Sequence, residues 1–283
     1  MAFFRALETT EPGRRRLFTD PYALPLLAEP LRTVARIARV PLARSLVRKA
    51  VDFGWPYTLS SGVVRTRAID DLVGDAIRSR ARQLVLLGAG FDSRAYRLPE
   101  AAGVVSFEVD HPATQSAKRE RLGAVAGQAN ENVRFVPVNF EKDDLEAKLI
   151  QSGFDPAIRS VVVWEGVISY LTAPAVDRTF ALLRRLLVPG SRLIFTYVHK
   201  GALDGSRSFP GARRWKSWVR FGGEPFLFGY YPEDLPATLR PFGFSVTSDE
   251  STAETARRYC PPLGRHEPGS ELYRVASALR AED

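Results

Sequence analysis

Gln83-Leu-Val-Leu-Leu-Gly-Ala-Gly-Phe-Asp92 decides how this chain folds. Leu84, Val85, Leu86 and Leu87 form a short continuous apolar run, the pattern of a strand buried on both faces. Gly88 and Gly90 follow at once, where a strand has to turn sharply and a side chain would keep a ligand from the backbone. A second short strand is predicted over 104–109 and ends in Asp110, about twenty residues past the glycines. A carboxylate at that distance is placed to accept hydrogen bonds from ribose hydroxyls. Turn, strand and acid together predict a nucleoside-binding α/β domain.

Working outward, strands alternate with helices. Helices are predicted at Asp20-Pro21, within 31–49 with a break at Pro41, over 63–80, and from Asp92 to a stop at Pro99. In the 63–80 helix, Ile69, Leu72, Val73, Ala76 and Ile77 mark a buried face, and Arg65 and Arg67 fall in the first turn. A third strand over 133–138 leads to Asn139-Phe140, and a charged helix follows over 142–151. A fourth strand over 160–164 ends at Glu165, and a fifth over 192–198 ends at His199, with a helix over 174–187 between them. This alternation predicts βαβ units and a mostly parallel sheet. A helix over 232–239 and strands over 244–247 and 272–279 complete the chain, the last two pairing antiparallel at the sheet's edge.

The composition suits one large soluble domain. The chain has 283 residues, 45% hydrophobic and 25% charged, and a net charge of +8 whose arginines are dispersed rather than blocked. That dispersal argues for solvated arginines over a nucleic-acid surface. The stretch 31–49, basic and amphipathic, reads as a helix packed on the main domain with its arginines in water, not as a membrane anchor. One cysteine excludes an internal disulfide, and His111, His199 and His266 show no metal-ligand spacing. With no signal core and no long apolar run, a cytoplasmic setting is expected. The aromatic stretch 200–231, with Trp215, Trp218, Phe221 and Phe226, reads as a lid over a pocket rather than a single-strand nucleic-acid platform.

Ligands of an open parallel sheet bind beyond the carboxyl ends of its strands. A dinucleotide would want a third glycine there, but position 93 is Ser and bulky Phe91 precedes it. A methyl-donating nucleoside, S-adenosylmethionine, has no phosphate. It needs a cation for its carboxylate, a role open to Arg65, and acceptors for its ammonium.

Four motifs carry a family resemblance: Arg65-Thr-Arg-Ala-Ile-Asp70, Leu87-Gly-Ala-Gly-Phe-Asp-Ser-Arg-Ala-Tyr-Arg-Leu98, Phe107-Glu-Val-Asp-His-Pro112 and Glu165-Gly-Val-Ile-Ser-Tyr-Leu171. With Asp20-Pro-Tyr22 and Glu224-Pro-Phe226, they make the chain resemble the leucine carboxyl methyltransferase family, which includes bacterial O-methyltransferases of polyketide biosynthesis. The resemblance implies a class I methyltransferase, Rossmann-like α/β fold, with a seven-stranded mostly parallel sheet, an antiparallel edge and a helical cap. Residues 1–60 would form the cap, and 61–283 the S-adenosylmethionine-binding domain, with a lid at about 200–231.

It further implies that Arg65 holds the methionine carboxylate, helped by Arg5. Gly88, Ala89 and Gly90 would line the methionyl end, Asp110 bind the ribose, Asn139 and Phe140 flank the adenine, and Glu165 take the ammonium. Asn139 replaces the family's usual Asp, although its amide oxygen still accepts a hydrogen bond. Tyr170 and His199 are candidates to touch the methyl acceptor, a small molecule of acidic or aromatic character, and no metal, nucleic acid or membrane enters. The expected activity is O-methylation of a metabolite. The competing readings are a catalytically silent S-adenosylmethionine sensor and, less favoured, a nicotinamide-dependent oxidoreductase.

Overall fold

The computed structural model describes residues 1–123, 131–140, 142–212 and 225–282. Seven strands form one sheet: β1 Gln83–Leu87, β2 Val105–Asp110, β3 Val133–Pro137, β4 Ser160–Trp164, β5 Arg192–Val198, β6 Phe244–Ser251 and β7 Tyr273–Arg280. Their spatial order is β3-β2-β1-β4-β5-β7-β6, and β1 to β5 run parallel. β7 pairs antiparallel with both β5 and β6, so the antiparallel pair expected at the edge is present, with β6 outermost. Strand order reverses between β1 and β4, which places a ligand crevice beyond Leu87 and Trp164.

The central strands alternate their side chains between two cores. Leu84, Leu86, Val161 and Val163 face one core with Ile69, Val73 and Ile77. These last three lie on α4, Thr58–Arg78. Val85, Leu87, Val162 and Trp164 face the other, against Val176, Phe180 and Leu183 of α8, Ala173–Leu186. Burial on both faces explains why β1 and β4 read as unbroken apolar runs.

The amino-terminal helices are α1 Ala2–Thr9, α2 Leu31–Ile37 and α3 Pro41–Gly54. Leu7, Val51 and Ala38 from this region pack with Val63 and Val64 of α4. As the sequence predicts, the 31–49 stretch breaks before Pro41, and Arg36 and Arg39 are exposed. Against the expectation of arginines in water, Arg44 and Arg48 are half-buried and paired with Glu11 and Glu267. The outer face of α3 is less polar than expected. Leu42, Leu46 and Phe53 are 73%, 60% and 79% exposed at helical spacing, so one side of α3 is a bare apolar stripe.

Several local expectations are corrected. The helix predicted over 63–80 begins at Thr58, so Arg65 and Arg67 lie well inside it rather than in its first turn. Its start carries no capping motif, because Tyr57 enters with φ +66 and no side-chain cap. The helix predicted at Asp20-Pro21 is a series of turns over 21–26, although Asp20 Oδ1 still accepts from Tyr22 N and Ala23 N as a cap would. The helix after the glycine turn shrinks to α5, Arg94–Arg97.

The helix α6, Pro112–Gly123, follows Asp110. The charged helix is α7, Leu145–Gln151, capped by Asp144. Beyond β5 lie the short α9, Gly201–Asp204, and α10, Leu235–Leu239. β6 runs on to Ser251, four residues past its predicted end at 247, and an unpredicted helix, α11 Thr252–Tyr259, joins it to β7. Trp215, Trp218 and Phe221 of the expected lid lie outside the described residues.

Candidate active site at the head of the sheet

The glycine turn is built by backbone needs. Gly88 and Gly90 adopt φ +67 and +47, values that a residue with a Cβ reaches only under strain. Gly88 N and Ala89 N both donate to Val109 O, at 2.9 and 3.0 Å, which ties the turn to the end of β2. There Asp110 accepts from Gly90 N through Oδ2 at 2.5 Å and from His111 N through Oδ1 at 2.6 Å. The carboxylate is thereby fixed beside the turn, with lone pairs left on both oxygens.

A Cβ on Gly88 would sit 2.6 Å from Val167 Cγ2. Gly88→Ala is therefore expected to lower stability by roughly 1–3 kcal/mol through backbone strain and this clash. Thermal denaturation of the variant checks it, and an unchanged melting temperature would contradict it.

Beneath the turn lies a cavity of about 220 Å³ lined by Arg5, Arg65, Gly88, Ala89, Gly90, Asp92 and Glu165, among others. Arg65 comes from α4 and Glu165 from the loop after β4, and Arg65 Nε lies 2.9 Å from Glu165 Oε1. A cation and an anion thus stand side by side facing the same space. Burial alone would raise the Glu165 carboxyl, but Arg94 and then Arg65 outweigh it and hold it below its usual range. Asp92 follows the same pattern: burial works against its charge, and Arg94, Arg5 and Lys118 more than compensate.

Arg5 is buried, donates to Asp20 Oδ2 at 2.7 Å and reaches Phe91 O at 2.5 Å. Asp20 also accepts from Ser93 Oγ at 2.6 Å, so the amino-terminal segment is clamped onto the glycine turn. The sequence reading left this use of Asp20 unseen. It also missed Asp70, Asp92, Arg94 and Arg97, which join Glu165 in one buried ion-pair network. These residues lie within two of the family motifs, but nothing local in their spacing marks them as buried.

Five candidates, Asp110 together with Asn139, Phe140, Tyr170 and His199, stand outside the lining of this cavity. Asn139 and Phe140 follow β3, the strand next to the one that ends in Asp110, with Phe140 51% exposed. Tyr170 ends a single turn, Ile168–Tyr170, and packs against Phe226 with ring centres 5.2 Å apart and planes tilted by 43°. His199 is buried between Phe209 and Tyr231. Its Nδ1 accepts from Gly201 N at 3.0 Å, and burial followed by Arg207 lowers its pKa, which favours the neutral ring.

The architecture and the chain's relatives agree. The family model described as leucine carboxyl methyltransferase matches residues 1–184. The chain belongs to the leucine carboxyl methyltransferase family. A Mycobacterium avium (strain 104) protein named "Putative S-adenosyl-L-methionine-dependent methyltransferase" is 34% identical over 195 residues, 69% of this chain. The match spans 63% of that relative's length. A protein of the same name from Mycobacterium marinum (strain ATCC BAA-535 / M) is 34% identical over 235 residues, covering 82% of this chain and 75% of its own. A "putative methyltransferase" from Thermobifida fusca YX superposes with a TM-score of 0.60, covering 98% of this chain and 97% of that one. At 18% identity that likeness shows a shared fold, the class I methyltransferase sheet of the family.

Proposed function

We propose that the protein binds S-adenosylmethionine and transfers its methyl group to an oxygen of a small-molecule metabolite, releasing S-adenosylhomocysteine. The observation that carries this reading is the Arg65–Glu165 pair, 2.9 Å apart on the cavity wall beside the glycine turn. The methionyl end of the donor is a zwitterion, and this wall presents one charge for each of its ends. Arg65 takes the carboxylate with Arg5 at its flank, and Glu165 takes the ammonium. The turn Gly88-Ala89-Gly90 admits the chain between them, Asp110 accepts from the ribose, and Asn139 and Phe140 border the purine. A phosphate-bearing dinucleotide suits this wall less well, since Glu165 and Asp92 would face its anions.

Bound S-adenosylmethionine supplies a methyl group on a positively charged sulfur, already activated for displacement. The protein's task is to aim an acceptor oxygen along the sulfur–methyl axis, and such orientation supplies on the order of 7–11 kcal/mol of a barrier. A carboxylate acceptor is ionised at pH 7 and needs no base. For a hydroxyl acceptor, Tyr170 and His199 are the groups read as reaching it, and the neutral His199 ring is able to accept a proton. Residues 1–60 serve as the cap and about 200–231 as the lid over the acceptor. The cavity, not the membrane or a nucleic acid, meets the substrate in this reading, and the setting is cytoplasmic.

Calorimetric titration with S-adenosylmethionine, S-adenosylhomocysteine and NAD tests the reading. Saturable binding of the first two and none of NAD is expected, and the reverse would overturn it. Binding without transfer of labelled methyl to any metabolite fraction would instead support a silent sensor. Asp110→Asn, which keeps the shape but removes the charge, is expected to weaken donor binding about tenfold. The same titration reads that change.

A further inference from the structure

Glu165 is held by more than the residue that the donor would engage. Arg94, 2% exposed at the start of α5, donates through Nη1 to Glu165 Oε2 at 2.7 Å and to Asp92 Oδ2 at 2.5 Å. Its Nε donates to Asp70 Oδ1 at 2.8 Å. One guanidinium thus joins three carboxylates from α4, the turn after β1 and the loop after β4. Asp70 has a second partner in Arg97, which grips both its oxygens at 2.7 Å. Glu165 has no such reserve: once a donor carboxylate draws Arg65 away, its remaining guanidinium partner is Arg94.

We propose that Arg94 is a positioning residue for the methyl donor: it keeps Glu165 charged and pointed into the cavity, so that the donor's ammonium finds a carboxylate when Arg65 turns to the donor's carboxylate. The inference rests on the S-adenosylmethionine reading of the site. The physical need is plain. A buried carboxylate without a cation takes up a proton instead, and a protonated Glu165 would present no charge to an ammonium. The groups facing Glu165 are Arg65 from α4, Arg94 from α5, Asp92 from the glycine turn and the amino group of Met1 at the head of α1. Of these, Asp92 repels it and Arg94 is its strongest attraction. Fork geometry matters as well as charge, because a lysine ammonium cannot span the same three acids in one plane.

Binding of S-adenosylhomocysteine, followed from neutral pH down through the carboxylate range, provides the test. In the wild type, the fall in affinity that Glu165 causes should come below the usual glutamate pKa, since Glu165 is held low. In Arg94→Met the fall should begin about one pH unit or more higher, and Arg94→Lys should lie between the two. Glu165→Gln should bind weakly at every pH without that fall, identifying the titrating group. If Arg94→Met only lowers the melting temperature and keeps the wild-type pH profile, the role is structural and the inference fails. If Arg94→Met does not fold, Arg94→Lys decides alone, and an unshifted profile rejects the proposal. A wild type that does not bind S-adenosylhomocysteine defeats the donor reading first, which is a different result from a shifted or unshifted profile.

Discussion

Arg65→Ala is expected to weaken binding of S-adenosylmethionine about ten- to a hundredfold, the loss that goes with a charged hydrogen-bond partner. Arg65 is 7% exposed and lies against Glu165 on one side and the Tyr273 ring on the other, 5.8 Å from its centre. Its guanidinium therefore rests on Glu165, at the cavity wall from which a donor carboxylate would draw it. Removing it takes away the carboxylate's anchor and leaves Glu165 to Arg94 alone. Because Arg94 remains, the carboxylate stays paired and the fold should survive. Isothermal titration should therefore show a large loss of affinity with a modest change in melting temperature. Arg65→Lys should recover only part of the loss, since a point charge replaces a planar fork. Unchanged affinity in Arg65→Ala would remove this end of the site from the donor's path.

A second large effect is expected away from the cavity wall. Lys118 on α6 is 1% exposed and its Nζ lies 2.7 Å from Glu108 Oε1 on β2, which is fully buried. Lys118→Met leaves that carboxylate buried without its cation, and breaking such a pair costs about 3–5 kcal/mol. Burial raises the Glu108 pKa even with Lys118 present, and the lysine's attraction works against that rise. Without the lysine the folded pKa rises further, so the penalty is full above it and fades as pH falls towards the unfolded value. Urea denaturation at pH 8 and again at mildly acidic pH should show the deficit shrinking on acidification. Lys118→Met with Glu108→Gln should recover part of it at pH 8. The pair fastens α6 under the Asp110 corner, so the single variant should also lose some donor affinity.

Much of this molecule is legible from its residues, for identifiable reasons. Buried parallel strands must be apolar throughout, so β1 and β4 stand out as runs. The glycine turn needs positive φ, and the acid after β2 sits at a fixed distance along the chain, so Gly88, Gly90 and Asp110 are visible too. The buried charges are another matter. Arg94, Arg97 and Asp70 each look like solvated surface residues until α4, α5 and the end of β4 are brought together. Such pairing belongs to the tertiary fold and leaves no local period.

The helix α11 was legible in principle. Ser251 and Glu254 form a capping box, with Ser251 Oγ accepting from Glu254 N and the glutamate accepting from Ser251 N. The early start of α4 was not, because its entry depends on the backbone of Tyr57 rather than on a cap.

β7 has a further consequence. It is wedged between β5 and β6, hydrogen-bonded along seven residue pairs to each. Contacts this far apart in the chain form late and slowly. While the chain is being synthesised, β5 and β6 must wait as two raw margins until the stretch 273–280 leaves the ribosome. Raw margins recruit other chains, so nascent or clipped forms lacking this closing strand should clump rather than linger as soluble near-native species.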